Sequence, residues 1–248
     1  MITVRDLLDL LQQKAPYETA ESWDNTGLAV GSEDQTVAKI VVALDVTEES
    51  LAYAIAEKAD VLLTHHPLLF EPLKVLKTDS LAYCLAQNGI TAVSAHTNLD
   101  KAVGGVNDCL AQQLELQDVT VGPDGMSRIG ILPREISPVD FGKHVARKLQ
   151  TPVRIKEGCT AIRSVAVCGG AGAELVLPLL DTADAAVTGE LKHHEWLAVP
   201  PTKTMVDGGH YATEVVVLSR VCEWLLEAFP ELTVVPFYGN APYSTRNE

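Results

Sequence analysis

Residues 39–66 read KIVVALDVTEESLAYAIAEKADVLLTHH, and this stretch decides the fold. Residues 39–46 are rich in β-branched side chains and form a strand. Thr47 then caps a helix whose first turn carries Glu48 and Glu49, where the helix dipole favours negative charge. Residues 61–63 are a second apolar run, short enough to be a buried strand. A strand, a helix of this length and a second strand make a right-handed crossover and leave the two strands parallel.

The alternation continues outward. Residues 4–11 place apolar side chains at helical spacing behind Thr3 as N-cap, and Pro16 closes the segment. Residues 81–87 form a helix that Gly89 stops. Residues 91–95 form a strand, and Gly104-Gly105 opens a helix to about Leu114. Val121-Gly-Pro-Asp-Gly125 is turn-rich and is read as a domain boundary. Beyond it, Ser137-Pro138 starts a helix. Strands follow at 163–167, 185–187 and 203–206, and a helix spans 212–229. The expected fold class is α/β: two lobes with mainly parallel or mixed sheets flanked by helices.

Composition sets limits. A chain of 248 residues suits two small lobes, and 47 % apolar with 21 % charged residues excludes a disordered or fibrous protein. Nineteen Lys and Arg against 33 Asp and Glu give −14. That charge repels phosphate backbones and disfavours nucleic acid as a partner, and no polybasic segment marks a membrane surface. MITVRDLLDLLQQ is an amphipathic helix rather than a signal peptide, and no apolar run is long enough to span a bilayer. The five cysteines, Cys84, Cys109, Cys159, Cys168 and Cys222, are scattered without a CxxC, as free thiols in a reducing cytoplasm would be.

The histidines are unevenly placed. His65 and His66 end one strand, and His96 ends another, with Asp100 four residues later. His210 follows a third strand through Asp207-Gly-Gly, and Glu214 follows His210 by four. The carboxyl ends of parallel strands lie along one edge, where such sheets place ligands. His210 and Glu214 at i,i+4 share a helix face and can chelate an ion. His65 and His66 face one cavity only if the chain leaves the strand there, which Pro67 favours. Three imidazoles and two carboxylates suit Zn, Mn, Fe, Co or Ni better than Ca or Mg. Two divalent ions countered by two carboxylates leave about +2, a centre that activates water at neutral pH and attracts an anion.

Other features carry alternatives. Cys168-Gly-Gly-Ala-Gly172 either cradles an anion on backbone N–H groups, chiefly Gly169 and Gly170, or makes a tight turn. Trp23-Asp-Asn-Thr-Gly27 is a loop at the rim, with Asn25 a candidate substrate contact. Asp45 either supports a ligand or leads into the next helix. His96 orients Asp100, acts as a general acid or holds its loop. Of His193 and His194 at most one faces a site, because neighbours on a helix diverge by about 100°. His144, inside an amphipathic helix, is read as structural.

The segments ESWDNTGLAVG, LLTHHPLLF, SAHTNLDKAVGGVND, TGELKHHE and DGGHYATE occur in this order. Together they resemble the interacting-factor-three-like dinuclear-metal family, which includes proteins called GTP cyclohydrolase 1 type 2 homologues. The resemblance runs over essentially the whole chain. It implies a toroidal homohexamer with two metals per subunit, held by His65, His66, Asp100, His210 and Glu214. It also implies a metal-binding lobe of residues 1–125 plus 206–248 with a second lobe, 126–205, inserted into it.

The leading expectation is a cytoplasmic, dinuclear-metal-dependent hydrolase of a small phosphorylated or nucleotide-like anion. His65, His66 and His210 are terminal ligands, Asp100 or Glu214 bridges, and His96, Glu190 and His194 are candidates for proton transfer or substrate contact. The rival from another class is a metal-binding regulatory or scaffold protein without turnover. A ring around nucleic acid is a third reading, against which the net charge argues.

Overall fold

The computed structural model describes residues 1–158 and 160–243. The chain opens with α1 (Val4–Lys14), β1 (Gly27–Val30), β2 (Lys39–Ala43), α2 (Glu48–Ala56), β3 (Val61–Thr64), α3 (Leu81–Gln87), β4 (Thr91–Ser94) and α4 (Thr97–Lys101). It continues through α5 (Val106–Gln113), β5 (Gln117–Val121), β6 (Arg128–Ile136), α6 (Pro138–Leu149), β7 (Arg154–Lys156) and β8 (Ile162–Cys168). Then come α7 (Ala173–Val176), β9 (Ala185–Thr188), α8 (His193–Ala198), β10 (Thr204–Asp207) and α9 (His210–Glu214), and it ends with α10 (Leu218–Ala228) and β11 (Thr233–Pro236). Two compact units result. One comprises Met1–Val103 with Leu218–Gly239, the other Gly104–Val217 with a short stretch from Asn240.

The first unit holds a sheet of order β1-β4-β3-β2-β11, in which β4, β3, β2 and β11 run parallel and β1 is antiparallel at the edge. All four residues of β3 and of β4 are buried, as expected where helices cover both faces of a parallel sheet. Thr47 and Ser50 form a reciprocal capping box that starts α2 directly after β2. Val41, Leu62, Leu85, Ile90 and Ala92 pack in one cluster of this unit's core.

The second unit holds a mixed sheet of order β5-β6-β8-β9-β10-β7, with β8, β9 and β10 parallel. Along β8, Val165 and Val167 enter one apolar cluster with Phe141 and Val145, while Ala166 and Cys168 enter the opposite one with Val176 and Met205. That alternation is the period of two of a strand covered on both faces.

The unit boundaries differ from those expected of residues 125 and 206. Val121–Gly125 is a hairpin turn: Asp124 accepts from the amides of Met126 and Ser127 at 2.7 and 2.6 Å, Gly125 takes a positive φ, and β5 pairs back on β6. The chain passes between units at Val103/Gly104 instead. On the return, β10 is bonded to β9 and β7, so it and α9 stay with the second unit. The single helix expected over 212–229 is broken by a 3-10 turn at Val215–Val217. Three consecutive β-branched side chains weaken helix there, and the crossing falls at Val217/Leu218.

One device recurs. Asp60, just before β3, accepts from the amides of Ala38 and Lys39 at 2.8 and 2.9 Å where β2 begins. Asp184, just before β9, accepts from the amides of Arg163 and Ser164 at 3.0 and 2.9 Å, and from the Ser164 hydroxyl, where β8 begins. Burial pushes the Asp184 carboxyl up, but the bonds from Ser164 and Arg163 outweigh it and hold it below the ordinary carboxylate range. A carboxyl depressed on folding stabilises above its unfolded value, near 4, and loses that contribution as pH falls through the folded value. Asp184→Asn is therefore expected to cost about 1–3 kcal/mol at neutral pH. The deficit relative to the parent should shrink in acid below about pH 4. Urea melts at pH 7 and 3.5 check this; a deficit that grows in acid would contradict it.

Among the described residues Cys84, Cys109, Cys168 and Cys222 form no disulfide; Cys159 lies outside the described residues. Among the described residues no helix is long and apolar enough to cross a membrane.

Candidate metal centre

In the first unit the parallel register aligns the ends of three strands, with Ala43 opposite Thr64 and Thr64 opposite Ser94. The residues that follow therefore emerge side by side: Asp45 after β2, His65 and His66 after β3, and His96 after β4. The pattern of bonds runs briefly beyond the strands, from the His65 amide to Ala43 O and from the Ala95 amide to Thr64 O. The Thr64 hydroxyl then donates to His66 O at 2.7 Å as the chain turns out of the sheet before Pro67. The turn brings two consecutive imidazoles together, with ring centroids 4.7 Å apart. His96 stands 5.2 and 5.3 Å from them. One ring nitrogen from each of the three lies within 4.8 Å of the others.

Each ring is held through Nδ1. That of His65 is 3.0 Å from Ala95 O, that of His66 is 2.8 Å from Asp45, and that of His96 is 2.9 Å from Asp24. An oxygen at Nδ1 fixes the tautomer and orients the ring, so that Nε2 is the nitrogen turned away from that anchor. His65 Nε2 lies 3.7 Å from an Asp100 carboxylate oxygen on α4. The Asp24 side chain is wholly buried. Burial alone pushes its carboxyl up, but hydrogen bonds from His96 and from the Thr97 amide and hydroxyl outweigh that and hold it far below the usual range. Asp24 thus stays ionised and orients His96.

In the second unit Cys168, Thr188 and Asp207 align across β8, β9 and β10. Each strand is followed by glycine: Gly169-Gly170, Gly189 and Gly208-Gly209. A Cβ on Gly189 would stand 2.6 Å from Gly170 O, so the backbones meet too closely for a side chain. Gly209, at φ +82°, turns the chain so that α9 begins at His210. His210 Nε2 then lies 3.1 Å from a carboxylate oxygen of Glu214, one helical turn on, and His210 Nδ1 lies 3.6 Å from Glu190. Glu214 is buried.

His65, His66, His96 and Asp100 gather in the first unit, and Glu190, His210 and Glu214 in the second. Asp45 holds His66 through one carboxylate oxygen, and its side chain is 45 % exposed. The Asn25 amide donates to Leu69 O at 2.6 Å and pins the loop after Pro67. Gly169 and Gly170 do not form an anion cradle, because their amides already donate to Asn107 and Thr213 at 2.8 and 3.1 Å. Their role is space: a Cβ on Gly170 would stand 2.0 Å from Glu214 Oε1 and 3.2 Å from His210 Nε2. His193 and His194 are exposed at the start of α8, with no bond to a site residue. His144 donates through Nε2 to Leu114 O and is structural. Asp24 was not singled out by the sequence; its only mark was a carboxylate inside WDNTG.

The donor set fits divalent transition metals: imidazoles oriented by oxygens, carboxylates beside them, and no thiolate in either group. Gly170→Ala is expected to displace Glu214 and lower metal affinity at least about tenfold, with the fold kept. Competition with a metallochromic dye measures it; unchanged affinity would remove Gly170 from the account.

A family model described as Duf34/NIF3 (NGG1p interacting factor 3) matches residues 2–240. The chain belongs to this family. A GTP cyclohydrolase 1 type 2 homolog of Clostridium perfringens is 30 % identical to this family member over 242 residues, 90 % of this chain and 91 % of the relative. A protein of Helicobacter pylori named GTP cyclohydrolase 1 type 2 is 29 % identical over 97 % of this chain and 98 % of its own. Among solved structures, a Staphylococcus aureus hypothetical protein superposes with a TM-score of 0.91 at 26 % identity, over 98 % of this NIF3-family chain and 99 % of the other. Reduced HcgD of Methanocaldococcus jannaschii gives 0.81 at 29 % identity, over 95 % and 97 %.

Proposed function

We propose that this protein is a dinuclear-metal-dependent hydrolase of a small phosphorylated or nucleotide-like substrate. The observation that carries the reading is the trio of imidazoles, His65, His66 and His96, converging at the ends of adjacent parallel strands, each with Nδ1 held by an oxygen. The names of the relatives support a cyclohydrolase-type reaction, and ring opening of GTP with release of formate is its concrete form.

His65, His66, Asp100, His210 and Glu214 would hold two divalent ions of the Zn, Fe, Mn, Co or Ni class. When bound, such ions supply Lewis acidity and a nucleophile at neutral pH. Asp45 keeps His66 oriented, and Asp24 keeps His96 oriented with a free Nε2 that accepts or returns a proton. Glu190, exposed beside His210, offers a carboxylate for a substrate proton or for positioning. By resemblance the working form is a homohexamer.

The test is formate release from GTP by metal-loaded protein, beside a panel of phosphorylated compounds, with elemental analysis of the same sample. Expected is turnover with two ions per chain, lost on chelation and restored by metal. Bound metal with no substrate turned over above the His65→Ala background would instead support the scaffold reading.

A further inference from the structure

A groove in the second unit stands apart from the histidine-bearing strand ends. It lies between β6 and α6 and owes its existence to a break in the β6–β8 ladder. Ile131 pairs with Ser164 and Ile136 with Ile162, so four residues of β6, 132–135, stand against one of β8. Such a bulge bends the strand and re-aims its side chains. Here it throws Pro133 and Arg134 outward and opens a cavity of about 640 Å³ between the bulge and α6.

The floor is apolar, from buried Leu132 and half-buried Ile136. The walls are cationic. Lys143 and Arg147 are spaced i,i+4 on α6 and share a face, and Arg134 comes from the bulge across from them. His144 fixes one of these cations: its Nε2 is 2.9 Å from Leu114 O, and its Nδ1 is 3.3 Å from Arg147 Nη2. Two carboxylates also line the groove, and both are engaged. Glu115 pairs with Lys148 at 2.6 Å, and Asp140 accepts from the Ser137 hydroxyl at 2.8 Å and lies 3.9 Å from the Lys143 ammonium, a long and exposed pair that a multiply charged ligand would compete with. Arg134 and Arg147 form no ion pair within 4 Å among the described residues, and Arg147 is one of the charges that favour the ionised Glu115 carboxylate. On a chain of net charge −14, three cations against two carboxylates around a cavity of ligand size leave a balance of +1, a local reversal of sign. At physiological salt the field of the distant acids is screened within about 8 Å, so the local cations decide what binds.

We propose that this groove binds a small polyanion with an apolar body, the guanidinium groups of Arg134 and Arg147 and the ammonium of Lys143 taking the anionic groups while Leu132 and Ile136 take the body. The volume falls within the range of small-molecule sites, and guanidinium suits both phosphate and carboxylate. The site is independent of the proposed metal centre.

The probe is pyranine, a pyrene carrying three sulfonates, titrated against the full-length protein by fluorescence anisotropy. One saturable equivalent per chain is expected. R134E and R147E should each weaken it about tenfold or more, equivalent to about 1.4 kcal/mol. K74E makes the same charge change at an exposed position of the other unit and should leave it within about twofold, as should His65→Ala. If R147E perturbs the fold, R134A on the exposed bulge carries the test, with a threefold or greater loss expected. Non-saturable binding, equal behaviour of R134E and K74E, or loss in His65→Ala would each overturn the proposal.

Discussion

His65→Ala is expected to empty most of the metal content and to cut metal-dependent turnover at least about 100-fold, with the fold retained. His65 is 2 % exposed and is fixed at Nδ1 by Ala95 O, and its Nε2 lies 3.7 Å from an Asp100 carboxylate oxygen. No neighbouring side chain can swing in to replace it: His66 is held by Asp45 and His96 by Asp24. The structural cost is limited. One hydrogen bond to a backbone carbonyl is lost, worth about 1 kcal/mol, and the residue lies past the last strand pairing. Elemental analysis, circular dichroism and turnover on the same preparation separate the effects. A folded His65→Ala protein with the parent's metal content and rate would end the metal-centre reading.

The second large effect is on stability. Arg128, at the start of β6, is 1 % exposed. Its guanidinium pairs with Asp108 on α5 and donates to Met126 O at 2.7 Å and Ser127 O at 3.2 Å. Asp108 also accepts from the Gly104 amide at 2.6 Å, where the chain enters the second unit. Asp108→Ala takes a carboxylate partner from a buried cation and removes that cap. Destabilisation of about 3–5 kcal/mol is expected. At roughly 2–4 °C per kcal/mol for a chain of this size, the melting midpoint should fall by roughly 6–20 °C. Adding Arg128→Met to Asp108→Ala should recover part of the loss, because the desolvated charge is gone. A double variant no better than the single would show that the cap, not the ion pair, holds this corner.

The parallel cores were legible because their strands are short apolar runs set between helices with clear caps: Thr3, Thr47, Ser137 and Gly89 all act as the sequence implies. The antiparallel margins were not. Every residue of β5 is exposed, so QDVTV shows no alternation between core and solvent, and its turn looked like a linker. The candidate ligands could be read because each follows a strand. Asp24 could not, since it lies in a loop 72 residues from the histidine it holds, and only register brings them together. Gly169-Gly170 signalled a special turn, but sequence could not tell an amide cradle from a relief of crowding against Glu214.

Asp60 and Asp184 knot the strand beginnings of both sheets at the rim opposite the histidines. Alignment is thereby kept by residues that take no part in chemistry. Loops at the other rim are released from that duty and can drift, lengthen or exchange side chains without unravelling the scaffold. A lineage built on this plan can change what it acts upon while inheriting its architecture intact.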